Sequence, residues 1–331
     1  MAKFRTAVEL PVFRNKMGYR HKSMMIGSCF AENIGLYLQE YCLPVMLNPF
    51  GILYNPFSIA SCLEQLMTRK TFTEQDLIFS NGLYHSFSHH SRFSGTDSGM
   101  VLEKINSQTV EALNYLSDAT HLFITFGTSW VFQHRQSGGV VSNCHKLPAA
   151  TFNHNRLSVN QITEIWVPVI EQLKRINPKL QLVFTVSPIR HLKDGAHANQ
   201  LSKSTLLIAI DSLISIYGND RISYFPSYEI VLDELRDYRF YSTDMTHLSE
   251  PAIDFIREKF VETMLDYEAQ SIMNEVGKLL QALKHKPFNP RDREYISFIE
   301  TQITKIDQLQ IKYPFMDFKS ITKIFHEKTT L

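Results

Sequence analysis

Short apolar runs rich in branched residues recur along the chain, separated by longer stretches in which apolar positions return at helical spacing. Runs of this kind that end at Gly, Ser or Pro read as strands, and the stretches between them as crossover helices. The predicted strands are Ser23 to Gly27, Leu43 to Leu47, His121 to Phe126, Leu180 to Ser187 and Arg221 to Phe225. Helices are predicted over Ala31 to Tyr41, Pro56 to Thr68, Leu102 to Leu116, Val159 to Ile176, Asn199 to Tyr217 and Pro251 to Asp266. Asn55-Pro56 and Ser249-Glu250-Pro251 place a capping side chain beside a proline suited to the first helical turn, and Ser158 can cap the fourth helix. Strands alternating with helices specify an α/β fold, a doubly wound and mostly parallel sheet of about five strands. Ligands of such sheets bind at the carboxyl ends of the strands, so the loops after Gly27, Leu47, Phe126 and Ser187 are expected along one edge.

Two regions depart from this alternation. Within residues 76–100, Leu77-Ile78-Phe79 and Tyr84-His85-Ser86-Phe87 flank Asn81-Gly82, a two-residue turn signal that predicts an inserted β-hairpin. Its second arm runs into Ser88-His89-His90-Ser91-Arg92, polar enough to form a wall of a site. Beyond Asp266 the chain turns to helical stretches, Gln270 to Lys286 and Arg291 to Lys312, separated by the breaker Pro287-Phe288-Asn289-Pro290. The expected division is a domain over 1–266 and a helical extension over 267–331, the latter a hairpin or an arm for homo-oligomerisation.

Composition narrows the partners. With 34 basic and 33 acidic residues the net charge is +1, so no excess draws the chain to nucleic acid or to an anionic membrane. No apolar run approaches the roughly 18 residues that span a bilayer, and Met1 to Thr6 lacks a secretory core, so a cytoplasmic protein is expected. Cys29, Cys42, Cys62 and Cys144 show no Cys-x-x-Cys spacing and read as reduced thiols. His89, His90, Cys144, His145, Asp244 and His247 lack the tight spacing of a metal site, and no cofactor is expected.

The candidate chemistry lies at both ends of the main domain. Met24-Met25-Ile26-Gly27-Ser28-Cys29-Phe30 is an apolar run that breaks at a Gly-Ser pair just before a helix, which sets Ser28 on a turn. Serine is a poor nucleophile at neutral pH and needs a base, which in turn needs a carboxylate to fix its tautomer. Asp244-Met245-Thr246-His247 offers both, three residues apart. Ser28 is expected to face the cleft and Cys29 to pack inward, since a free Cys is usually a small buried apolar residue. Arg190 follows a strand and offers a fixed cation to a substrate. Asn143-Cys144-His145-Lys146 is expected in an irregular loop, either a turn satisfying its own backbone or a substrate-contacting segment. Trp130 and Trp166 are expected in the core.

Gly27-Ser28-Cys29-Phe30-Ala31 reproduces the motif for which the GSCFA family is named. Asn48 to Pro56, Asn143 to Lys146, Ser187-Pro188-Ile189-Arg190-His191 and Asp237 to Tyr241 also resemble that family, over about residues 3–265. The family in turn resembles the SGNH, or GDSL-like, hydrolases. That resemblance implies a three-layer α/β/α sandwich and a triad of Ser28, His247 and Asp244. It also implies an oxyanion hole built from the Ser28 amide, Gly51 and Ser129, the last standing where the superfamily's Gly-x-Asn motif has Asn. His89, His145 and Arg190 are the expected substrate contacts. The implied activity is ester hydrolysis, on an O-acyl or O-acetyl group of a carbohydrate or small metabolite. Acyl transfer by the same residues is the alternative, as is a non-catalytic carbohydrate-binding or scaffold protein on a hydrolase fold.

Overall fold

The computed structural model describes residues 6–285, 287–289 and 291–329. Residues 1–5 of the expected first domain, Lys286 at the end of a predicted helix and Pro290 of the predicted breaker lie outside the described residues, as do 330 and 331. In chain order the first half holds β1 (Ser23–Gly27), α1 (Cys29–Glu40), β2 (Val45–Leu47), α2 (Pro56–Met67), β3 (Leu77–Ser80), β4 (Leu83–Ser86), α3 (Ser98–Asp118), β5 (His121–Phe126), β6 (Trp130–His134), β7 (Val140–Val141) and β8 (Phe152–Arg156). The second half holds α4 (Val159–Ile176), β9 (Gln181–Val186), α5 (Ala196–Tyr217), β10 (Ile222–Tyr224), α6 (Ser227–Glu229), α7 (Glu250–Met264), α8 (Tyr267–Lys284), α9 (Arg293–Lys312) and α10 (Lys319–Thr329).

Among the described residues, β10, β9, β5, β1 and β2 form a five-stranded sheet in that order, with every pairing parallel. All five predicted strands fall in it. Its two faces are read from alternate residues, because successive side chains of a strand point to opposite sides. Met24, Ile26, Leu122, Ile124, Phe126, Phe184 and Val186 enter one apolar cluster with α2, α3, α4 and α5. Met25, Phe123 and Val183 enter the other, with α1 and α7. The result is a three-layer α/β/α sandwich. Trp166 anchors the first layer: it is fully buried, with ring centroids 5.3 Å from Phe126 and 5.2 Å from Phe184, and truncating such a side chain costs about 3–5 kcal/mol.

The predicted hairpin is β3 paired with β4. Asn81 (φ 51°) and Gly82 (φ 76°) both take left-handed backbone angles, as a tight two-residue turn between twisted strands requires. Residues 130–141, where no strand is predicted, form a second antiparallel sheet with β8, in the order β7-β6-β8. Trp130-Val131-Phe132-Gln133-His134 and Phe152-Asn153-His154-Asn155-Arg156 alternate at period two and pair along their length. The tail packs against the main sandwich. Ile272, Met273, Val276, Ile299, Ile306, Phe318 and Phe325 belong to the same apolar cluster as Met25, Ile34 and Leu38. Arg20 stacks on Phe315 at 3.8 Å, and Glu275 accepts from Lys312 at 2.9 Å and from Tyr313 at 2.8 Å. No helix among the described residues is long and apolar enough to cross a membrane.

Candidate active site

In chain order the parallel strands run 2-1-3-4-5 across the sheet, so the order reverses between β1 and β5. A crevice opens at such a reversal, because the loops after the two strands leave in opposite directions. Ser28 follows β1 and Gly127 follows β5, which sets both residues at the crevice. Gly27 makes the turn possible: its φ is +138°, and a Cβ there would lie 2.2 Å from Thr125 O. The Gly27 N–H donates to Asn48 Oδ1 at 2.9 Å, and Leu53 N–H donates to Gly27 O at 3.0 Å. Ser28 then takes the N-cap position of α1, its Oγ accepting from Phe30 N–H at 3.3 Å. The next amide, that of Cys29, occupies the first helical position, where no intrahelical acceptor exists and the helix end is electropositive.

Asp244 and His247 are held by one tight turn before α7. Asp244 Oδ1 accepts the N–H groups of Thr246 and His247, each at 2.9 Å, while His247 Nδ1–H donates to Oδ2 at 2.6 Å. The backbone N–H groups of His247 and Thr246, with the ring N–H, hold the Asp244 carboxyl well below the usual carboxylate range. With Nδ1–H donated to the carboxylate, the imidazole presents Nε2 as its basic nitrogen. The loop after β9 is tied to this turn, since Arg190 N–H donates to Thr246 O at 3.5 Å.

These segments enclose a cleft of about 630 Å³ that both Ser28 and His247 line. No hydrogen bond joins their side chains; Ser28 Oγ is engaged by Phe30 N–H, and His247 by Asp244. The second sheet supplies an aromatic wall through Trp130, Phe132 and Phe152, with His154 stacked on Phe132 at 4.3 Å. Arg190 and His191 face it from the opposite loop. Burial, reinforced by the charge of Lys203 and by that of His247 when it is protonated, lowers the His191 pKa to about 4, so this imidazole is neutral at pH 7. Behind them Lys203 is fully buried, and its Nζ donates to Gly127 O and Ser187 O, each at 2.6 Å. It clamps the carboxyl ends of β5 and β9 together.

A family model described as the GSCFA family matches residues 22–260, most of the chain. The chain belongs to the GSCFA family. A second model, described as the C-terminal domain of GSCFA domain proteins, matches residues 276–330. The family's namesake residues, Gly27 to Ala31, are the end of β1 and the first turn of α1. No curated protein sequence matches. Among solved structures the chain is similar to an acetyl xylan esterase, Est2A, from the rumen bacterium Butyrivibrio proteoclasticus. The two are 11% identical with a TM-score of 0.38, over 80% of this chain and 66% of that one.

Several residues expected in the site of this GSCFA chain stand elsewhere. Gly51 does not line the cleft: its N–H donates to Asn48 O at 2.7 Å, and its φ of +83° and missing Cβ let His90 approach, since a Cβ would lie 2.2 Å from His90 Cβ. Ser129 is fully buried, with N–H and Oγ both directed at Ser202 Oγ, at 2.8 and 3.1 Å. Neither is free to meet an oxyanion. His89 packs on Phe50 at 4.2 Å with its Nδ1 against Ser86 Oγ at 2.9 Å, and burial pushes its pKa down to about 3. His145 Nε2 donates to Ser86 O at 2.8 Å and its ring stacks on His85 at 4.5 Å, so it fastens the hairpin to the 143–146 loop. Arg190 does line the cleft, and no acid among the described residues lies within ion-pair distance of it.

Two further placements correct the expectations. Cys29 lines the cleft beside Ser28, with Sγ 3.7 Å from Tyr54 Oη, instead of packing inward. Trp130 forms cleft wall, whereas Trp166 is core. The residues that sequence reasoning missed are Tyr54, Asn55, His191 and Lys203. Asn55 was legible only as a helix cap, and nothing in the surroundings of Lys203 on α5 distinguishes it from a surface lysine until the helix is docked. Among the described residues no group of three His, Cys, Asp or Glu side chains is placed to hold a metal ion.

Proposed function

We propose that this GSCFA protein is a serine-dependent acyl-ester hydrolase acting through Ser28, His247 and Asp244. The observation that carries the reading is that one cleft is lined both by a serine at an electropositive helix N-terminus and by an imidazole whose Nδ1 proton is held by a carboxylate at 2.6 Å. Ser28 Oγ attacks the acyl carbon as His247 Nε2 takes its proton; the same imidazole returns the proton to the leaving alkoxide, and a water molecule repeats the cycle on the acyl-enzyme. Side-chain rotation closes the Ser28–His247 gap when substrate displaces the N-cap bond, as catalytic contacts often tighten only in the complex.

The aromatic wall of Trp130, Phe132 and Phe152 suits the flat face of a sugar ring, and the unpaired Arg190 suits its oxygens or an acidic substituent. An O-acyl or O-acetyl group on a carbohydrate or small metabolite is the substrate class this favours. The test is covalent labelling with a fluorophosphonate probe, followed by hydrolysis of aryl acetates. Labelling at Ser28 that disappears in Ser28→Ala is expected; a folded wild-type protein that takes no label removes the reading.

A further inference from the structure

Ester hydrolysis at Ser28 needs a donor for the negative charge that forms on the acyl oxygen, and the two groups expected to help beyond the Ser28 amide, the Gly51 N–H and Ser129, are committed elsewhere. The segment 53–55 is stitched around the nucleophile on three sides. Leu53 N–H donates to Gly27 O at 3.0 Å, on the residue before Ser28. Tyr54 Oη lies 3.7 Å from Cys29 Sγ, on the residue after it. Tyr54 O accepts the N–H groups of Gly127 at 2.8 Å and Thr128 at 3.0 Å, from the loop across the crevice. The residue that follows is Asn55, which lines the same cleft as Ser28 and is only 6% exposed.

Its carboxamide is fixed. Asn55 Oδ1 accepts Ser58 N–H at 2.8 Å as the N-cap of α2, so the oxygen end of the amide is assigned by its partner and the NH₂ end must point the other way. Among the described residues Nδ2 meets no acceptor, yet it is not sealed from solvent as the buried orphan atoms are. A rigid donor with unspent hydrogens, in a cleft beside the nucleophile, is what electrostatic preorganisation requires.

We propose that Asn55 Nδ2 is the side-chain donor of the oxyanion hole, acting with the α1 amides next to Ser28. This rests on the hydrolase reading above. As the Ser28 Oγ–acyl carbon bond forms and the Oγ proton passes to His247, the carbonyl π pair moves onto the acyl oxygen. Asn55 donates a hydrogen bond to that oxygen and transfers no proton; the pair returns when the alkoxide leaves with the proton from His247. The superfamily's asparagine is thus supplied from the start of α2 instead of from the Gly127-Thr128-Ser129 loop.

Two variants separate this role from capping. Asn55→Asp is isosteric and keeps a carboxylate oxygen to cap α2; Asn55→Ser keeps a neutral cap. Both lose the Nδ2–H donor; the serine hydroxyl, with its oxygen on Ser58 N–H as the cap, is too short to extend to the place of Nδ2. The assay is steady-state hydrolysis of aryl acetates, with thermal melts and binding of a small alkylboronic acid, which forms an anionic tetrahedral adduct on serine. A fall in kcat of about 10²–10³-fold in both variants is expected, with KM changed by less than about threefold, boronate affinity falling in parallel, and Tm close to wild type. If Asn55→Ser keeps kcat within about threefold of wild type, the donor role is wrong even though the hydrolase reading stands. If the wild-type protein neither turns over nor takes a fluorophosphonate label at Ser28, the hydrolase reading fails and this proposal falls with it.

Discussion

Lys203→Met tests how a lone ammonium is tolerated beneath the cleft. Lys203 is fully buried, its Nζ donates to two backbone carbonyls at 2.6 Å, and burial, reinforced by the charge of Arg190, lowers its pKa from 10.5 to about 7. In the unfolded chain a lysine holds its proton to about pH 10.4. Between about pH 7 and that value the unfolded state binds the extra proton, so the stability of the wild type climbs as pH rises, by at most about 1.4 kcal/mol per pH unit. The gain is complete above the unfolded pKa, is lost as pH falls through the folded one, and amounts to on the order of 5 kcal/mol across the window. Methionine exchanges no proton, so the difference between wild type and variant must grow through that window. The buried tyrosines, Tyr19 and Tyr54 among them, titrate alike in both proteins and cancel in the difference. At pH 7 the variant also leaves Gly127 O and Ser187 O without their donor, at about 1–3 kcal/mol each. Urea unfolding followed by tryptophan fluorescence at pH 7, 8, 9 and 10 reads all of this. A difference that stays level within about 1 kcal/mol over that range refutes the reasoning.

Three other outcomes follow from the same geometry. Ser129→Ala, which removes a hydroxyl bonded to Ser202 inside the fold, should lower stability by about 1 kcal/mol and leave kcat on aryl acetates within about twofold of wild type. Gly127→Ala places a methyl 3.0 Å from Tyr54 O and 3.4 Å from both Ser28 Cβ and His191 Nε2; a fall in kcat of at least about tenfold is expected, and unchanged kinetics count against Gly127 flanking the nucleophile. Asp244→Asn keeps an oxygen for the two backbone donors but gives up the charge opposite His247 Nδ1, so kcat should drop by about 10²–10⁴-fold, whereas a full rate at pH 7 speaks against the triad.

The sheet was legible because buried parallel strands are continuous apolar runs, and Ser23 to Gly27 or His121 to Phe126 carry little else. The hairpin was legible because Asn-Gly demands one turn type. The second sheet was not: Trp130 to His134 and Phe152 to Arg156 alternate, but they are short, polar on one side and separated by residues that read as loop. In the candidate site, Ser28, Asp244 and His247 were singled out because each sits in a local motif whose spacing sets its geometry. Gly51 and Ser129 misled for the opposite reason. What a donor faces depends on partners far along the chain, Asn48 in one case and Ser202 in the other, and spacing does not encode those. Asn55 was hidden by having a sufficient local explanation, since capping a helix already accounts for an asparagine before a proline.

The apolar cluster beneath α1 carries a consequence for how the protein is made. Met25, Phe30, Ile34 and Leu38 leave the ribosome early, yet they share that cluster with Ile256 of α7 and with Ile299 and Phe325 of α9 and α10. Until more than two hundred further residues have been synthesised, the face that the first strand and the helix bearing Ser28 turn to this cluster lacks the cover of α7 to α10. Helix α1 therefore completes its packing only when the C-terminal helices arrive. A fragment that stops at residue 266 should emerge with the part of that cluster covered by α8, α9 and α10 open and prone to aggregate.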